Sequence, residues 1–143
     1  MPRRLASLRA HRAATRGEAE ALHLSAGDPV CSYHGHSLAD GQPIALFESL
    51  FPLPRLPQMP EALQTTSSVT EALRAAGVAD YTRASTRLTA VRATATQALH
   101  LMLTEGDPLL RSSGVNVDEN KTPVEYGRTW FAGDRVTLTL SDP

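Results

Sequence analysis

A single cysteine, a single tryptophan and a single lysine stand among 143 residues, and aromatic side chains make up only 5% of the chain. One cysteine excludes a disulfide framework and an all-cysteine metal site. Cys31 would need a base and an electropositive setting to act as a nucleophile, and on a strand it faces away from His34 and His36. We read it as a packed strand residue. No H-x-x-x-H or C-x-x-C spacing occurs, and His34-x-His36 on one strand face supplies only part of a zinc ligand set. No metal and no other cofactor is expected. No apolar run reaches the ~20 residues that span a bilayer, and the start lacks the apolar core of a secretory signal. A soluble, cytoplasmic chain with no membrane partner is expected.

Excess positive charge is also missing: 14 basic residues face 15 acidic ones, for a net charge of −1. Proteins that grip phosphate backbones are normally far more basic. The local exception is the front, where Arg3, Arg4, Arg9, Arg12 and Arg16 precede the first acid, Glu18. That run reads either as a phosphate-touching arm or as a solvated basic face. Lys121 is the lone lysine, and arginine suits bidentate recognition of carboxylate or phosphate. The 41% apolar and 20% charged fractions are those of ordinary globular chains. The length is that of one domain over residues 1–143, burying roughly 68–70% of its unfolded surface.

The chain contains an internal duplication. Residues 14–35, ATRGEAEALHLSAGDPVCSYHG, recur 79 positions later as ATATQALHLMLTEGDPLLRSSG. Each copy carries a capping box, Thr15 with Glu18 and Thr94 with Gln97, in which hydroxyl and N3 side chain satisfy the free amides of a helix start. A helix of about ten residues should follow, ended by Gly27 or Gly106 in the left-handed conformation and barred from continuing by Pro29 or Pro108. Then come a strand, a turn (39–42 or 118–121) and a second strand, Ile44 to Phe51 or Val124 to Phe131.

Further strands fit at Leu5 to Arg12, at Thr82 to Arg92 and at the alternating residues 136–140, VTLTL. Between the halves, FPLPRLPQMPEAL excludes regular sheet and reads as an irregular surface segment. Ser68 and Glu71 form a third capping box, opening a helix that stops at Gly77. The expected fold is α+β: an antiparallel sheet with helices packed on one face, in two pseudo-symmetric halves.

The ordered set GDPV, ADGQP, GDPLL, PVEY and GDRV resembles the UTRA effector-binding domain, the sensory half of HutC-type GntR transcriptional regulators, over essentially the whole chain. ATRGEAEALHL and VEYGRTWFAGDRVTL are most similar to its regulators of phosphonate metabolism. The resemblance implies a chorismate-lyase-like fold, a pocket for a small anionic effector, homodimerisation, and DNA contact through a separate winged helix-turn-helix. Residues 1–13 have no room for such a domain, so DNA binding is expected only through a part outside this chain.

The helix start at Ser67 and Ser68 offers free amides and hydroxyls to an anion, or Ser68 simply caps its own helix. The resemblance favours the anion. It also implies two arginines on the strand before ADG, where this sequence has Gly35 and Ser37 beside Tyr33. Arg87, His34 or His36 are the candidates to replace that clamp, Arg87 being equally readable as a surface residue. Glu125 matches the acid that accepts ligand hydroxyls or amines, and Phe131, six residues on, shares its strand face. Arg128 points the other way and ties the sheet together, while Trp130 is core or interface area. The candidate ligand residues are therefore Tyr33, His34, Gly35, Ser37, Ser67, Ser68, Arg87, Glu125 and Phe131.

The leading expectation is a non-enzymatic sensor. A ligand held between the halves shifts a homodimer, provided it binds two geometries unequally. A chorismate-lyase-like enzyme, with Glu125 and Arg87 in a charged pocket, and a pure dimerisation module are the alternatives.

Overall fold

The computed structural model describes residues 2–141. Six strands form one antiparallel sheet: β1 (Pro2–Ala13), β2 (Pro29–Ala39), β3 (Gln42–Pro52), β4 (Thr82–Arg92), β5 (Pro108–Val117) and β6 (Pro123–Ala132). Their spatial order is β1-β2-β3-β6-β5-β4, so the two copies of the repeat lie side by side with β3 against β6. Four helices of seven residues complete the fold: α1 (Arg16–Leu22), α2 (Met59–Thr65), α3 (Val69–Ala75) and α4 (Ala95–Leu101).

Both expected capping boxes form in full, Thr15 with Glu18 and Thr94 with Gln97. The helices end sooner than the glycines suggested. His23 and Met102, each at φ 55°, take the left-handed cap position, and Gly27 and Gly106 serve the turn that follows. Ser68 accepts from the Glu71 amide at 3.2 Å, but the Glu71 carboxylate turns to the Thr66 hydroxyl, so that third box is half made. Asp40 and Gly41, both at positive φ, make the two-residue turn that joins β2 to β3 with matching twist.

The α+β class and the antiparallel sheet agree with the sequence pattern. The helices, however, occupy both faces. Neighbours Cys31 and Phe51 pack with α2 and α3, whereas Val30 and Leu50 pack with Ala19 and Leu22 of α1. Alternation along a strand sends such neighbours to opposite faces. Ala98 and Leu101 of α4 form a third cluster with Leu109, and Trp130 packs against it. The proline-rich segment contains α2, because Pro60 sits in its first turn, where no amide partner is lost. Residues 136–140 form no strand. The amides of Arg135 and Val136 both donate to the Ala132 carbonyl, a turn that carries the chain off the sheet before its alternating pattern finds a ladder.

Candidate functional site

On the α2–α3 face, a cavity of about 560 Å3 opens between α3 and the sheet, lined by Arg4, Ser49, Val69, Tyr81, Arg83, Thr86, Asn116 and Glu125. Glu125 is 8% exposed and accepts from Asn116 Nδ2 at 2.9 Å. Asn116 in turn accepts from Arg83 Nε at 2.8 Å, and Arg83 Nη1 donates to the Thr86 hydroxyl at 3.1 Å. A buried carboxylate is thus linked through an amide to a guanidinium, with every partner fixed before any ligand arrives. Arg4 reaches in from β1, its guanidinium 3.9 Å from the centre of the Phe47 ring. Two cations and one anion line this cavity.

Arg83 occupies the site while Arg87 does not, and the cause is a bulge. Register slips between Arg83 and Ser85, after which Thr86 faces Gly114 and Arg87 faces Ser113. One extra residue reverses the alternation, so Arg87 lands on the opposite face. There it lines a second cavity with Arg111 and Arg128. His34 and His36 also face that side, in a cavity shared with Glu48 and His100, so neither histidine meets Glu125. Arg87, His34 and His36, the candidates to stand in for the arginine pair, therefore lie on the face opposite Glu125.

The remaining candidates divide. Tyr33 and Ser67 line a neighbouring cavity of about 390 Å3 on the Glu125 face, with Tyr33 also packed against Phe47 at 6.1 Å. Ser68 caps α3 at the edge of the Glu125 cavity, next to Val69. Phe131 lies on the same sheet face as Glu125 but lines neither cavity, Gly35 borders the cavity of His34 and His36, and Ser37 pairs with Arg4. Gly35 carries no side chain for a steric reason: a Cβ there would overlap the Leu5 carbonyl of β1. Ser49, Tyr81, Arg83 and Asn116 escaped sequence reading, and Arg4 was read only as part of the leading basic run, either a phosphate-touching arm or a solvated face. Of the four that escaped, Arg83 alone carried a usable signal, as an arginine on the same strand as Arg87.

A four-residue ionic network lies on the other face, under α1. Arg12 holds Glu18 bidentately at 2.7 and 2.8 Å and reaches Glu48 at 3.2 Å, while Arg128 Nη2 donates to Glu18 and Glu48, both at 2.8 Å. The Ser32 hydroxyl donates to Glu48 at 2.7 Å. Hydrogen bonding from Arg12 outweighs burial and holds the Glu18 carboxyl down at about 2. Glu48 is also lowered, by Ser32 and the two arginines against its own burial. Arg128 does point away from Glu125 and ties α1 to the sheet. Of the leading arginines, Arg3 and Arg9 have side chains outside the described residues. Burial pushes the Cys31 thiol up to about 11, so it stays protonated and inert. Among the described residues no three histidines, cysteines or acids gather as a metal site, and no helix is long and apolar enough to cross a membrane.

Comparison with known proteins places this geometry. The UTRA domain family model matches residues 4–137. An uncharacterised HTH-type transcriptional regulator of Rhizobium meliloti (strain 1021) is 38% identical over 122 residues, 85% of this chain and 50% of that protein. The chain spans half the length of that relative. The crystal structure of a GntR-family transcriptional regulator from Enterococcus faecalis V583 is 26% identical, covers 99% of this chain and 100% of that one, and superposes with a TM-score of 0.77. The C-terminal domain of Yurk from Bacillus subtilis has the same fold, with a TM-score of 0.84 at 21% identity over 96% of this chain and 93% of that one. The family match over nearly the whole chain and the shared fold give one conclusion: this chain belongs to the UTRA domain family of ligand-binding effector domains found in transcriptional regulators.

Proposed function

We propose that the chain is the sensing and dimerisation domain of a cytoplasmic HutC-type GntR regulator, and that its effector is a small anionic metabolite held in the Glu125 cavity. The observation that carries this reading is the preformed Arg83–Asn116–Glu125 chain, facing Arg4 across a cavity of about 560 Å3. Arg4 and Arg83 supply the two guanidiniums that Gly35 and Ser37 withhold, and Ser67 and Ser68 stand beside the cavity. Glu125 is left to accept from a hydroxyl or amine on the same ligand. A phosphonate or aminophosphonate has that pairing of groups, as does a phosphate ester with a free hydroxyl.

Isothermal titration against alkylphosphonates, aminophosphonates, phosphate esters and carboxylates tests the reading. One class should bind, and Arg83→Gln and Glu125→Gln should each weaken it about 10- to 100-fold, the loss expected for a charge-assisted hydrogen bond. Silence across the panel would remove the sensor. The homodimer is assigned to the end of the same sheet face that α2 and α3 leave bare, around Phe131 and Leu88, the latter 43% exposed. Sedimentation of Leu88→Glu should then show a monomer. DNA contact belongs to a winged helix-turn-helix outside this chain.

A further inference from the structure

On the face opposite Glu125, α1 and the β4–β6 end of the sheet bound a cavity of about 570 Å3 that contains three arginines, Arg87, Arg111 and Arg128. Register aligns Arg87, Ser113 and Arg128 in one row across β4, β5 and β6, and Thr89 with Arg111 in the next row of the same face. Rows on one face are ~6.6–7 Å apart, so the three guanidiniums can meet one small ligand. α1 contributes a single acid, Glu20. Among the described residues, Arg87 and Arg111 make no hydrogen bond and no ion pair through their side chains. Arg128 spends Nη2 on Glu18 and Glu48, and its buried Nε has no partner.

The fold does not require these cations. The duplication supplies a mate cavity of about 550 Å3 beneath α4. There Ser7 pairs with His34 as Arg87 pairs with Ser113, and the 79- and 80-residue offsets make Ser32 and Glu48 the mates of Arg111 and Arg128. The same scaffold therefore stands without arginine at any of the three places. Arg128 is already balanced by Glu18 and Glu48, which leaves Arg87 and Arg111 as the two cations here whose charge a bound anion would balance.

We propose that this cavity is a second anion site, separate from the Glu125 cavity, and that it takes a compact phosphate-bearing dianion. Arg87 and Arg111 supply charge-assisted bonds, the hydroxyls of Ser113 and Thr89 fill the remaining acceptor positions, and Glu20 accepts from a hydroxyl on the ligand.

Inorganic phosphate and pyrophosphate are the probes, titrated at low salt so that screening does not hide the interaction. Binding should weaken at least about tenfold in the double variant Arg87→Gln/Arg111→Gln and persist in Arg83→Gln. In the unmodified protein, the side-chain Nε–Hε NMR signals of Arg87 and Arg111 should move saturably with added pyrophosphate, a readout that does not depend on either variant folding. Three results would each overturn the proposal: no saturable binding of either probe, binding unchanged in the double variant, or still Arg87 and Arg111 signals. Loss in Arg83→Gln alone would move the anion to the Glu125 face. Because the two sets of substitutions lie on opposite faces, failure here leaves the effector reading standing, and the reverse also holds.

Discussion

Replacing Glu18 with glutamine should make the stability of this domain lose a pH-dependent part that the wild type owns. Glu18 is 4% exposed, accepts from Arg12 twice, from Arg128 once and from the Thr15 amide at 2.9 Å. Glutamine keeps the volume but removes the charge that balances two guanidiniums, and breaking a buried pair by deleting one partner costs about 3–5 kcal/mol. The arginine side chains are 19% and 23% exposed, so water compensates in part and we expect about 2–3 kcal/mol at neutral pH. The carboxyl gives the same order: lowering it from 4.5 to about 2 corresponds to about 3 kcal/mol before that discount. A folded-state value depressed below the unfolded one stabilises above pH 4.5, and the contribution is lost as pH falls toward 2. Urea unfolding of wild type and Glu18→Gln between pH 7 and pH 2 should therefore show a gap that is constant down to pH 5 and closes below it. A gap that stays constant to pH 2, or one under about 0.5 kcal/mol at pH 7, a surface value, would refute the account.

Three further outcomes follow from the geometry. Arg55 donates to the carbonyls of Leu22, His23 and Pro123, and Arg135 donates to those of Leu101, Met102 and Pro43, so Arg55→Ala and Arg135→Ala should each cost about 2–4 kcal/mol in denaturant unfolding and add in the double variant. Gly35→Ala should push β1 off β2, costing more than about 2 kcal/mol and speeding amide exchange on β1 first; a near-neutral change would show that the strand gives way easily. Cys31 should resist a thiol reagent at pH 8 in the native state and react at once in denaturant, its thiol being fully buried and raised to about 11.

The sequence announced the repeat through caps and turns, since Thr15, Glu18, Thr94 and Gln97 act locally and need no tertiary knowledge. The arginine clamps were within reach too. Eighty residues separate Phe51 from Phe131 and Arg55 from Arg135, so the duplication runs past the hairpins into PLPR and AGDR. What stayed hidden was whatever depends on one inserted residue or on a partner strand. The bulge at Arg83–Ser85 leaves no mark in RASTR, yet it decides which arginine faces Glu125. The alternation of residues 136–140 is a true strand pattern with no neighbour to pair with. Pro60 concealed α2 because a proline in a helix's first turn looks, in sequence, like a proline that forbids it. Arg4 could not be foreseen as a pocket residue, since only the sheet order brings β1 across the face from β4.

The two faces of the sheet differ in what the duplication left them. Glu48 pairs directly with Arg128, and each is the other's equivalent in the repeat, so this ion pair sits on the pseudo-twofold axis itself. A true twofold would have to place identical residues there, either two carboxylates or two guanidiniums in contact. Divergence of the copies is thus what permits the pair, and with it the network that fastens α1. On the α1–α4 face the copies still match, helix for helix and cavity for cavity. On the other face α2 and α3 follow the first copy only, covering Phe51 and leaving its mate Phe131 without a helix. Symmetry is therefore broken where the Glu125 cavity forms, and one polar chain, Arg83–Asn116–Glu125, stands in one copy alone. With α2 and α3 at one end only, Val69 of α3 is the helical residue that borders the cavity, while Phe131 and Leu88 lie at the end of the face that this helix pair does not cover.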